Sequence, residues 1–95
     1  MNVQSFHRRL WLCCMEEIRS IVARFPQREL DIRRRFVRDA QFKSICSDYE
    51  EATRALRHWQ QVLKEGNREG GRKAEEYVNL LGELEDEILA HLSRR

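Results

Sequence analysis

At 95 residues the chain is one small domain, in the size range where the area buried on folding barely suffices for stability. Charged residues make up 36% and hydrophobic ones 41%, with one Pro, four Gly and no alternating run of strand formers. That excludes a sheet protein or a disordered chain and leaves amphipathic helices.

The first predicted helix covers about residues 5–24. Ser5 can cap its start, and Trp11, Cys14, Ile18, Ile21 and Phe25 recur three and four apart along one face. Its opening, His7-Arg8-Arg9 before Leu10-Trp11-Leu12-Cys13-Cys14-Met15, has the outline of an export signal. The apolar run is shorter than the roughly 7–15 residues of a signal core, and Glu16-Glu17 ends it. The expectation is therefore a helix of a cytoplasmic protein. No segment reaches the roughly 18 apolar residues that cross a bilayer, so no membrane partner is expected. Three cysteines, Cys13, Cys14 and Cys46, suit a reducing compartment, where free thiols act as small buried hydrophobes.

Pro26 interrupts the helix, because it lacks a donor and restricts the residue before it. A short helix is predicted over about 27–37, with Leu30, Ile32, Phe36 and Val37 as its apolar positions. Asp39 is a plausible N-cap for the next helix. From there Phe42, Ile45, Tyr49, Ala52, Leu56, Trp59 and Leu63 alternate three and four apart without a miss, the spacing that keeps one seam against a partner helix. Gly66-Asn67-Arg68-Glu69-Gly70-Gly71 reads as a loop of about six residues. After it, Ala74, Tyr77, Leu81, Leu84 and Ile88 repeat the rhythm, closed by His91 or Leu92. A short loop between two long helices makes them antiparallel.

The predicted fold is thus all-α: a coiled-coil hairpin (about 39–65 and 71–92) with an added N-terminal helix and the short helix, three-helix-bundle-like. Cys46, Ala55 and Val62 on one seam helix, and Val78 and Leu80 on the other, lie beside the seam and would be wet on a bare hairpin. Either the N-terminal helix or a second copy of the chain covers part of them. Gly82 falls outside the seam, so either a backbone approaches closely there or the glycine is simply tolerated.

Chemistry finds little footing. Cys13 and Cys14 diverge by about 100° on a helix, and Cys46, His7, His58 and His91 form no ligand pair, so no metal, cofactor or catalytic residue is expected. The carboxylates, Glu50-Glu51 and Glu85-Asp86-Glu87 among them, read as solvated helix exteriors. The candidate interaction surface is the basic cluster Arg28, Arg33, Arg34, Arg35 and Arg38, since guanidinium forks suit carboxylates and phosphates. The formal charge of +2 conceals an asymmetry behind it. Residues 1–38 carry nine Arg against four acids, and residues 39–95 nine basic against twelve acidic groups. A basic front and an acidic back favour head-to-tail contact within or between chains.

From about Phe25 to Leu92 the chain resembles the small bacterial YdcH-like family of helical-hairpin proteins of uncharacterised function. The likeness is carried by Phe25-Pro26, Arg28-Glu29-Leu30, Asp39-Ala40-Gln41-Phe42, Ile45, Tyr49-Glu50-Glu51, Leu81 and Glu85-Asp86-Glu87-Ile88. The chain departs from it in Asn79 and Gly82, where the family usually has lysines, in Trp59, more often aliphatic, and in the added residues 1–24. The resemblance implies a bacterial cytoplasmic hairpin and brings no catalytic residue or cofactor. The expected function is a protein–protein interaction module that binds another helical protein or itself, as in a homodimer. The rival is nucleic-acid association through residues 28–38.

Overall fold

A computed structural model of the chain describes residues 17–93, and every regular element among them is helical. Residues 17–24 form the described part of helix α1. A 3-10 turn, Pro26–Arg28, leads into α2 (Glu29–Arg38), followed by α3 (Ala40–Lys64) and α4 (Glu69–Ser93). Helices α3 and α4 make the predicted hairpin. The remainder of the predicted N-terminal helix, with Trp11 and Cys14, lies outside the described residues.

Pro26 sits in the first turn of the short 3-10 element, where its missing donor costs nothing. Asp39 is then the whole joint between α2 and α3. Its backbone is extended, its amide donates to the Arg35 carbonyl, and its carboxylate accepts from the Phe42 amide at 3.1 Å. One residue thereby ends one helix and caps the next.

The core gathers at this end of the hairpin. Phe42, Ile45, Cys46, Tyr49 and Ala52 of α3 meet Leu84 and Ile88 of α4, with Ile18 and Ile21 from α1 and Ile32 and Phe36 from α2 packed over them. Each fully buried aliphatic or aromatic side chain contributes about 1.5–3 kcal/mol. Cys46, beside the seam, is fully buried. Toward the loop the seam opens: Leu56, Trp59, Ala74, Tyr77 and Leu81 are half-buried and Leu63 is 46% exposed.

The loop is shorter than its glycines suggest. Gly66 takes a left-handed backbone (φ 96°), and its amide and that of Asn67 bond back to Leu63 and Val62, which closes α3. Asn67 accepts from the Glu69 amide through its side chain, so α4 begins at Glu69, not about residue 71, and Gly70 and Gly71 lie inside its first turn. The reason is steric. A Cβ on Gly70 would stand 2.5 Å from the Leu63 nitrogen and 2.7 Å from the Trp59 carbonyl oxygen, both backbone atoms. Gly82, by contrast, faces open space and is exposed, so it is the tolerated kind.

The two glycines therefore predict opposite effects. Gly70→Ala forces the helices apart at the tip and costs about 1–3 kcal/mol, whereas Gly82→Ala gains about 0.5–1 kcal/mol from helix propensity. Urea unfolding followed by circular dichroism measures both.

Candidate interaction surfaces

Two polar clamps fix α1 on the hairpin, one part-buried and one exposed at its Arg24 end. The Glu50 carboxylate accepts from the Ser20 amide at 2.6 Å and from its hydroxyl at 3.0 Å. Glu85 accepts from the Tyr49 hydroxyl at 2.7 Å and from Arg24 Nε at 3.2 Å through the same oxygen. The expectation that Glu50 and Glu85 are solvated is corrected here: Glu50 is buried and Glu85 half-buried, because α1 crosses over them. Burial, and then the Glu85 carboxylate, raise the Tyr49 phenol well above its usual range, so it remains a donor.

Cys46 lies under the same helix. Burial, helped by Glu17 and Glu50, pushes its thiol up to about 12, which leaves a neutral, poorly nucleophilic sulfur. No group of three or more His, Cys, Asp or Glu among the described residues could hold a metal ion. At the joint, His91 is buried and its Nδ1 stands 3.4 Å from Asp39 Oδ2, without hydrogen-bond alignment. Its ring tilts against Phe42 at 5.9 Å between centroids.

The predicted basic cluster divides. Arg28 pairs with Asp31 at 3.3 Å, Arg33 with Glu29 at 2.8 Å, and Arg35 approaches Asp39 at 3.7 Å, all within or at the end of α2. Arg34 and Arg38 are exposed and have no partner among the described residues. Phe36 turns inward, as its spacing from Ile32 predicts.

A second basic group, not anticipated, surrounds a cleft of about 440 Å³ between α1 and α3. Arg19, Arg54 and Arg57 line it with Ser20, Ala23 and Glu50. Arg54 and Arg57 are one helical turn apart on α3, a visible signal. Nothing in the order of residues places Arg19 beside them.

The third surface is apolar. On α3, Cys46 and Glu50 lie on the flank of the seam that α1 covers, and Asp48, Glu51 and Ala55 lie on the other. On that open flank a groove of about 270 Å³ runs between the hairpin helices. Ala52, Ala55, Tyr77, Leu80 and Leu84 form its apolar part, and Asp48 and Glu51 supply carboxylates. Leu80, in the groove, is 39% exposed; Val78, 53% exposed, lies on the other flank of α4, seven residues before Glu85. These are two of the five beside-seam positions in question; Cys46 is covered by the chain itself, and Ala55 and Val62 are half-buried.

No family model, curated protein or solved structure matches the chain. No helix among the described residues is long and apolar enough to cross a membrane.

Two substitutions test the clamps and the joint. Glu50→Ala strands the Ser20 donors and costs about 1–3 kcal/mol, read by chemical denaturation. For Asp39, the Phe42 amide, and secondarily His91, hold the carboxyl below its ordinary 3.8, against the opposing effect of burial. A depressed folded value means that the ionised form stabilises the fold. That contribution is complete above the unfolded value near 3.8 and lost as pH falls through the lower folded value. The melting-temperature advantage of wild type over Asp39→Asn should hold at neutral pH and shrink below about pH 4.

Proposed function

We propose that this chain is a non-enzymatic helical interaction module of the cytoplasm, whose contact face is the outer half of the α3–α4 hairpin. The observation that carries the reading is the mismatch between seam and core. The three–four rhythm continues to Leu63 and back from Ala74, but the buried cluster ends near Ala52 and Leu84, and the apolar side chains beyond it are half-buried or, at Leu63, Val78 and Leu80, exposed. Groups of exposed apolar residues rimmed by charge are what helix-binding surfaces consist of. The likeness to YdcH-like hairpins supports the same reading, as it brings a hairpin without a reaction.

Nucleic-acid association through residues 28–38 draws less support. Ion pairs to acids of α2 engage Arg28 and Arg33, and Asp39 attracts Arg35, leaving a sparse set of guanidinium groups for phosphate.

The test compares immobilised wild-type chain with Leu80→Glu and Val78→Glu, both at exposed positions where the fold tolerates a charge. Wild type should retain a helical protein, its own chain included, and the variants should retain it at least about tenfold less tightly. Equal retention by all three, or retention by none, would remove the proposal. A low-salt mobility shift with duplex and single-stranded DNA, abolished in Arg34→Ala/Arg38→Ala, would transfer the function to the basic helix.

A further inference from the structure

The groove and the outer face of α2 are complementary in hydropathy and in charge. On α2, Leu30, Arg34, Val37 and Arg38 recur at i, i+4, i+7 and i+8, which is one face of a helix. It is the face opposite the buried Ile32 and Phe36. Leu30 is 59% and Val37 74% exposed, the largest exposures among the large apolar side chains of the described residues. Arg34 and Arg38 flank them without partners among the described residues. The groove offers the converse: an apolar floor at Ala55 and Leu80, and the carboxylates of Asp48 and Glu51, likewise without partners among the described residues.

We infer that the groove's occupant is the α2 face of a second copy of this chain, with Leu30 and Val37 against Ala55 and Leu80, and Arg34 and Arg38 facing Asp48 and Glu51. This rests on the reading of the hairpin as an interaction module and names the partner. The choice of α2 over the Arg19–Arg54–Arg57 cleft follows from chemistry. That cleft offers cations without large apolar side chains, whereas α2 supplies both in one stripe. One ten-residue helix in one groove buries too little for a stable interface. Used twice across a two-fold axis, each copy giving a stripe and a groove, the contact doubles toward the low end of the range for specific interfaces, about 1,200 Å² in total. The dimer is accordingly weak, micromolar or weaker, and favoured by low salt.

Charge reversal with compensation tests it. Sedimentation velocity from micromolar to about 1 mM should show a concentration-dependent dimer for wild type. Asp48→Lys/Glu51→Lys and Arg34→Glu/Arg38→Glu should each weaken it by about tenfold or more. The fourfold variant, with the signs exchanged on both sides, should regain an affinity within a few-fold of wild type. All four positions are exposed, so circular dichroism should be unchanged throughout. A wild type that stays monomeric, or a fourfold variant no better than either parent, overturns the inference. So does rescue by Arg54→Glu/Arg57→Glu in place of the α2 changes, which would move the contact to the other cleft. None of these failures alters the Leu80-dependent retention of a different protein, so the broader reading is judged separately.

Discussion

Burial of the joint end of the hairpin by α1 and α2 is the constraint from which the rest follows. Two antiparallel helices share one seam, and a seam by itself leaves each helix wet on most of its circumference. Here Ile18, Ile21, Ile32 and Phe36 close over Phe42, Cys46 and Ile88, so that both seam helices are covered from a second direction. That closure needs α2 to fold back sharply, and a single extended residue, Asp39, allows it. It also needs α1 to be held across the hairpin, which the Glu50 and Glu85 carboxylates accomplish from below. Among the described residues, α1 and α2 cover one end only. The other end has no covering helix among them: each hairpin helix has 25 residues and α2 has 10.

The seam was readable from residue order because helix periodicity is a local property. Phe42 through Ala52, and Leu84 and Ile88, are buried where the alternation places them. The cap at Asp39 was readable for the same reason. Glu50 was not: a carboxylate on a helix flank is solvated unless something crosses it, and the Ser20 donors come from 30 positions earlier in the chain. Glu85 was hidden in the same way by Tyr49 and Arg24. The glycines after Asn67 looked like loop because glycine is a poor helix former. Close backbone approach at Gly70, a tertiary requirement, outweighed propensity and drew them into α4. Of the basic surfaces, the run along α2 was legible, but its division into paired and free arginines depends on the acids one turn away. The cleft of Arg19, Arg54 and Arg57 depends on how α1 lies over α3. The wet positions Val78 and Leu80 were visible as apolar residues beside the seam, though which flank α1 would cover was not.

The tip of the hairpin is held in a different way from its core end. Large side chains are not its support, as Leu63 is largely exposed and Trp59 and Tyr77 only half-buried. Support comes from the main chain. Gly66 and Asn67 return their amides to the last turn of α3, and Gly70 lets the first turn of α4 lie against the Leu63 nitrogen and the Trp59 carbonyl. Backbone-to-backbone approach of this kind brings two helices together without relying on large apolar side chains at the contact. On the proposed reading the acidic rim acts twice. Asp48 and Glu51 would discourage indiscriminate association of the apolar groove and select a partner that brings cations next to apolar groups. A chain whose first 38 residues are basic and whose remainder is acidic carries such a partner within its own sequence.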